Sequence, residues 1–104
     1  MLIIDEDKGV VTVKTAQGEA VHRLDSPEAF AAISRAWLRA GWDVKYVYSF
    51  TWLGRPIIQL PEDLVRLQEL VHRMRPSVVI DIGIAHGGSL VFHASLFEAI
   101  GLGA

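Results

Sequence analysis

Short apolar runs separated by polar turn residues open the chain. Residues 2–4 and 10–13 are aliphatic or β-branched, residues 21–24 can continue the pattern, and the stretches DEDKG and AQGE between them have the composition of turns. This spacing predicts three short strands joined in sequence order. We therefore expect a small antiparallel β-meander at the start of the chain.

A helix-start signal follows at residues 26–28. Ser26 can accept a hydrogen bond from a free backbone N–H, Pro27 suits the first helical position, and the Glu28 carboxylate meets the positive helix end. Apolar residues then recur at i, i+3 and i+7, which predicts one apolar stripe made of Phe30, Ile33 and Trp37. We expect this helix to end at Gly41.

The next stretch, residues 42–60, is rich in aromatic residues and has no clear period. Gly54 and Pro56 interrupt it, so we expect a docked loop with a short extended piece. Its aromatic side chains, together with Arg55, could line a substrate pocket. The interpretation we favour is that they pack the loop onto the core or onto a subunit interface.

A second helix is predicted from Pro61, which Glu62 and Asp63 follow as favourable first-turn residues. Its apolar face would be formed by Leu64, Leu67, Val71 and Met74. Pro76 ends the pattern. The charged residues of this helix are most simply a solvated face.

The C-terminal third predicts a strand, a glycine loop and a third helix. Residues 77–82 form a continuous apolar strand of the type buried on both faces in a parallel sheet. Gly88 to Ile100 has apolar residues around most of its axis, which predicts a largely buried helix ended by Gly101. The order helix, strand, glycine loop, helix is typical of the first unit of a doubly wound α/β domain. The predicted fold class is therefore α/β with an incomplete sheet.

The loop VVIDIGIAHGGSL, residues 78–90, carries the candidate chemistry. Gly83 permits a sharp exit from the strand, and Gly87 and Gly88 remove side chains where a ligand would approach the backbone. The dinucleotide pattern G-x-G-x-x-G is matched only with Ala85 in place of its middle glycine. A better match is acid-x-Gly-x-x-x-Gly beginning at Asp81, the first motif of class I methyltransferases that bind S-adenosylmethionine. A glycine turn without a ligand is the alternative.

The ionisable residues of this region have two interpretations each. A carboxylate at the end of a buried strand is costly unless it is paired or hydrogen-bonded, so Asp81 serves a ligand, accepts N–H bonds that hold the loop, or does both. His86 either touches a cofactor or substrate or is a simple loop hydrogen-bonder. We expect His93 to be a packed helix histidine, His22 and His72 to lie at the surface, and no two-histidine metal site.

Composition narrows the classes of function. The 104 residues fit one small domain, 51% are hydrophobic, and the formal charge of −2 offers no field to capture nucleic acid or an anionic membrane. The absence of cysteine excludes disulfides and thiolate chemistry. The N-terminus lacks the basic start of a signal peptide, and no apolar run is as long as a membrane span, so we expect a cytoplasmic protein.

Residues 48–101 resemble the cephalosporin hydroxylase / rhamnosyl O-methyltransferase family. The likeness runs through WLG (52–54), PIIQ (56–59), RP (75–76) and AHGGS (85–89), and it departs at His93, where the family usually has an aromatic residue. The resemblance implies a Rossmann-like methyltransferase domain that uses S-adenosylmethionine, often with a divalent metal such as Mg²⁺, in antibiotic, glycolipid or sugar tailoring. Together with the loop argument it predicts these cofactor-binding residues: Asp81, Gly83, Ala85, His86, Gly87, Gly88 and Ser89.

The remaining parts of such an enzyme would lie beyond this stretch. In this fold an acidic residue roughly 20 positions after the glycine loop holds the ribose, and the resemblance places the general base and the metal-binding acids downstream as well. We interpret the chain as the N-terminal part of a methyltransferase-family protein, with domains at 1–47 and 48–104. It would transfer a methyl group to an oxygen of a small molecule, as a homo-oligomer. The alternative is a non-catalytic truncated module that self-associates through its lone strand and apolar C-terminal helix. Catalytic residues stay unknown, and whether this chain alone is an enzyme stays open.

Overall fold

The computed structural model describes residues 1–102, which form an α/β structure with antiparallel strands and three α-helices. Backbone contacts divide the chain into two compact units, Met1–Val44 and Lys45–Ala104. The predicted division into domains 1–47 and 48–104 stays a prediction, and its last two residues lie outside the described part. None of the helices within residues 1–102 could span a lipid bilayer.

The first unit is a three-stranded meander with one helix. Its elements are β1 (Leu2–Asp5), β2 (Val10–Thr15), β3 (Gly18–Arg23) and α1 (Pro27–Asp43). Both strand pairs are antiparallel, and the central Val11 pairs with Ile4 on one side and His22 on the other. The predicted meander is confirmed. Strand β3 starts earlier than expected because its turn needs only residues 16–17.

Helix α1 begins as predicted but buries a different face. The Ser26 hydroxyl accepts a hydrogen bond from the Ala29 N–H at 3.1 Å, which confirms the cap. Ala29 and Ala32 are buried, whereas Phe30 is 74% exposed, so the predicted apolar stripe is wrong. The helix packs on all three strands, and alanine permits a closer approach to a sheet than an aromatic ring does. It also continues past Gly41 to Asp43.

The second unit contains a β-hairpin and two helices. Its elements are a 3₁₀ helix (Tyr46–Tyr48), β4 (Phe50–Trp52), β5 (Arg55–Ile57), α2 (Pro61–Met74) and α3 (Gly88–Ile100). The two strands pair antiparallel through a two-residue turn, in which Leu53 and Gly54 have φ of 48° and 85°. Two left-handed residues are typical of the type I′ turn that suits hairpin twist. The expected docked loop is therefore a hairpin. The predicted limits of α2 and α3 are confirmed.

The core of this unit lies where the hairpin meets α2 and α3. It consists of Ile57, Leu64 and Phe92, with Phe50, Trp52, Leu67 and Leu96 packed around them. The Trp52 indole N–H donates to the Ser95 hydroxyl at 2.8 Å, and the ring meets Phe92 edge-on at 4.9 Å. These contacts anchor α3 to the hairpin. The expectation that α3 is largely buried is wrong, since its buried residues are Gly88 and Phe92 while Leu90 is exposed.

Residues 77–82, predicted to be a buried parallel strand, do not form a strand. Val78, Ile80 and Ile82 are 72%, 81% and 94% exposed, whereas Val79 and Asp81 between them are half-buried. The exposure alternates as it does along a strand. A strand also needs a hydrogen-bonded neighbour, and both sheets of the described residues are antiparallel and formed by other segments. Of the predicted Rossmann-like unit, the helix is present and the strand is not.

Candidate functional site

The glycine loop between residues 82 and 88 is a tightly folded connection. Gly83, Ala85 and Gly87 have left-handed φ values of 76°, 45° and 82°. The Gly87 N–H donates to the Ile84 carbonyl at 2.7 Å and closes a four-residue turn. Ala85 is strained because a side chain disfavours this conformation. It occupies the position where the dinucleotide pattern has its middle glycine.

The loop leads directly into the start of α3. Gly87 is the N-cap residue and makes no side-chain cap, and the first helical bond runs from the Val91 N–H to the Gly87 carbonyl at 3.1 Å. The N–H groups of Gly88, Ser89 and Leu90 precede that bond, so the helix itself offers them no partner. Such groups, at the positive end of the helix dipole, favour an anionic or hydrogen-bond-accepting ligand.

An open cleft of about 490 Å³ lies beside the loop. Three predicted site residues line it: Ala85, His86 and Gly87. The other lining residues are an arginine and three apolar residues, Arg55, Ile84, Leu90 and Val91. This volume falls within the usual range of small-molecule sites. Arg55, in strand β5, lines the cleft, as expected if it belongs to a substrate pocket. The aromatic residues Phe50 and Trp52 pack the core instead, which is the interpretation we favoured for them.

Asp81 faces a different and smaller pocket of about 180 Å³, lined by Val79, Asp81, Leu90, His93, Ala94 and Phe97. One of its carboxylate oxygens, Oδ2, lies 3.1 Å from Nδ1 of His93. His93 also meets the Phe92 ring edge-on at 5.4 Å. His93 is thus packed on its helix, as expected, and it is also the hydrogen-bond partner of Asp81, which sequence analysis missed. The sequence signal for this pairing was His93 itself, a histidine at a position where the family that the chain resembles usually has an aromatic residue.

Gly88 has a packing role that the sequence did not indicate. A Cβ atom on Gly88 would lie 2.2 Å from the Pro56 carbonyl oxygen and 2.7 Å from Cβ of Ile57. The missing side chain therefore makes room for strand β5 and not for a ligand. By contrast, Cβ atoms on Gly83 and Gly87 would meet nothing within 4 Å. Of the seven predicted site residues, Ala85, His86 and Gly87 line the open cleft, Asp81 lines the smaller pocket, and Gly88 packs on the hairpin. Gly83 in the loop and Ser89 at the start of α3 line neither pocket.

Comparison with known proteins identifies the second unit. The family described as rhamnosyl O-methyltransferase/CmcI matches residues 44–103. The chain belongs to the rhamnosyl O-methyltransferase/CmcI family. The rhamnosyl O-methyltransferase of Mycobacterium leprae (strain TN) is 35% identical over 51 residues, which cover 49% of this chain and 22% of that protein. The chain thus spans about a fifth of the length of that relative. No solved structure matches the chain.

Membership of the rhamnosyl O-methyltransferase/CmcI family confirms the resemblance on which the site prediction depended. All seven predicted cofactor residues, 81 to 89, fall within the matched stretch. Methyltransferases in general take their methyl group from S-adenosylmethionine. Within residues 1–102, no group of three or more His, Cys, Asp or Glu side chains is arranged to hold a metal ion.

Proposed function

We propose that the chain supplies the cofactor loop of an S-adenosylmethionine-dependent O-methyltransferase that modifies a small molecule. The observation that carries this proposal is the cleft beside the loop, where Ala85, His86 and Gly87 come together with Arg55. Family membership supports the reaction class, and the cleft supports the location of the cofactor. The activity, substrate and partners of a longer parent protein are part of the same proposal.

The groups around the cleft fit the chemistry of this cofactor. The Arg55 guanidinium is suited to its carboxylate, as is the positive end of α3, where Gly87 and Leu90 line the cleft. Ile84, Leu90 and Val91 offer apolar surface that excludes water from the rest of the molecule. When bound, S-adenosylmethionine supplies a sulfonium methyl group for displacement by a substrate oxygen. We assign no general base among the described residues.

Titration calorimetry of the 104-residue chain with S-adenosylmethionine and S-adenosylhomocysteine tests the proposal. We expect both to bind, and Arg55→Met to weaken binding by about tenfold through loss of a charge-assisted hydrogen bond. Arg66→Met is the matched control, because Arg66 lies exposed on α2 and pairs with Glu69. No heat of binding at millimolar ligand would reject the loop as a competent cofactor site.

We also propose that residues 77–82 become a strand of a parallel, Rossmann-like sheet when neighbouring strands are supplied. The alternating exposure of Val78 to Ile82 supports this, because one face already turns towards α3 while the other carries three exposed aliphatic side chains. The sequence pattern of the segment is that of a strand covered on both faces. In such a sheet the glycine loop would lie at the carboxyl end of the strand, where α/β folds bind their ligands.

The exposed row Val78, Ile80 and Ile82 favours a second candidate function as well. An unpaired apolar segment is a template for pairing with another chain. The alternative is therefore a non-catalytic module that self-associates through this row. Sedimentation velocity over a range of concentrations decides it. A mass that rises with concentration supports self-association, and a compact monomer throughout counts against it.

A further inference from the structure

Asp81 and His93 form a half-buried pair that joins segment 77–82 to helix α3. Asp81 Oδ2 and His93 Nδ1 are 3.1 Å apart, and the two side chains are only 18% and 16% exposed. The imidazole also lies edge-on against Phe92, which is buried in the core of the unit. Packing and a hydrogen bond together fix the ring, which is the arrangement by which one residue orients another.

The Asp81 carboxylate is not held in place by regular secondary structure. Segment 77–82 is not part of a sheet, so the backbone that carries Asp81 has no strand ladder to hold it. Helix α3, by contrast, is fixed to the hairpin through the bond between Trp52 and Ser95. The contact with His93 therefore extends the rigidity of the anchored helix to a side chain on an unpaired segment.

The chemistry of the pair determines which oxygen stays available. An ionised carboxylate only accepts hydrogen bonds, so the tautomer of His93 that can bond to it is the one with N–H at Nδ1, which would donate to Oδ2. Oδ1 is the oxygen that His93 does not engage. A carboxylate held through one oxygen presents the other in a fixed direction, suited to a hydroxyl or ammonium group of a ligand.

We propose that His93 is a positioning residue, which holds the Asp81 carboxylate so that Oδ1 meets a hydroxyl or ammonium group of the bound cofactor. The Asp81 pocket and the open cleft are both lined by Leu90, so a ligand in the cleft would reach Oδ1 past that side chain. This inference rests on the proposed function above. It assigns to His93 a role through its hydrogen bond, beyond the packing of its ring against Phe92.

The first measurement needs no cofactor. Long-range proton–nitrogen NMR of the histidine-labelled chain, at alkaline pH where free imidazole is neutral, reports which ring nitrogen carries the proton. We expect Nδ1 of His93 to be protonated, and Asp81→Ala to remove this preference. Exposed His72 on α2 serves as the internal reference. A His93 proton on Nε2 alone, as in an unpaired imidazole, would overturn the proposal.

The second measurement separates hydrogen bonding from packing. His93→Phe keeps a ring against Phe92 but removes the donor, and we expect it to weaken S-adenosylmethionine binding by about tenfold. His93→Asn places an amide N–H near the former Nδ1, and we expect affinity within about threefold of the unmodified chain. His72→Phe is the control and should leave affinity unchanged, with thermal unfolding followed for every variant.

The outcomes distinguish this inference from the proposed function. If the unmodified chain binds the cofactor and His93→Phe binds it equally well, the positioning role is wrong and the proposed function stands. If His93→Asn binds as weakly as His93→Phe, the hydrogen bond is not what matters and the positioning role fails. If the unmodified chain binds no cofactor, the proposed function fails, and the positioning role fails with it.

Discussion

The second unit has an anchored half and an open half, and both are rich in apolar residues. In the anchored half, Ile57 and Phe92 are almost fully buried where the hairpin meets the helices. In the open half, Ile80 and Ile82 of segment 77–82 are largely exposed. The difference is the availability of a partner, because the hairpin pairs with itself whereas the segment has no neighbouring strand among the described residues. A hydrophobic sequence thus predicts that a segment will be buried, but whether it is buried depends on whether the fold supplies a partner.

The largest expected effect is in the anchored half. Gly88→Ala would drive a methyl group into the Pro56 carbonyl and Ile57, and we expect a loss of about 3 kcal/mol in the free energy of unfolding, measured with urea. Gly87→Ala is the matched control. Its methyl group meets nothing within 4 Å, so only the strain of φ +82° remains, about 1 kcal/mol. Equal losses would contradict the assignment of Gly88 to packing.

A smaller effect of opposite sign is expected in the loop. Ala85→Gly relieves the left-handed strain at φ +45°, so the chain should gain about 1 kcal/mol in the free energy of unfolding. The control is Ala94→Gly in α3, where the same change should cost about 1 kcal/mol because glycine is a poor helix former. If both variants lose stability, Ala85 is not strained in solution.

The smallest effect is expected on the open segment. Ile80→Ser should change the free energy of unfolding by less than about 0.5 kcal/mol, since the side chain is already largely exposed. Ile57→Ala, by comparison, should cost about 3 kcal/mol. Urea unfolding at low protein concentration measures both. A loss above about 1 kcal/mol for Ile80→Ser would mean that the segment is covered in solution, by another copy or by its own chain.

Features fixed by neighbouring residues were predictable from the sequence. The Ser26 cap and the Gly101 end of α3, where the Gly101 N–H donates to the Glu98 carbonyl, both follow from local chemistry. The meander was predictable because each strand pairs with the next along the chain. The β4–β5 hairpin was not, because its turn Leu53-Gly54 lacks the usual Asn-Gly and Pro56 weakens the strand signal.

The candidate site divides in the same way. Glycine spacing was enough to predict a turn and helix entry at Gly83 and Gly87, both of which have positive φ. The packing of Gly88 on β5 depends on residues distant along the chain, so no local pattern indicates it. For the pairing of Asp81 with His93, the only sequence signal was the unusual histidine at position 93. The predicted burial of residues 77–82 was wrong because it presumed neighbouring strands. Cofactor binding by the seven predicted residues stays a prediction.

Because of the Trp52–Ser95 bond, the fluorescence of Trp52 can report whether α3 is docked on the hairpin. Trp52 is the single tryptophan of that unit, and its indole lies between the Ser95 hydroxyl and the Phe92 ring. Undocking of α3 would transfer the indole to water and shift its fluorescence to longer wavelength. Trp37 and Trp42 belong to the first unit and would add emission of their own. With those two replaced by phenylalanine, the emission colour of one ring would follow the docking of α3, the helix that the glycine loop begins.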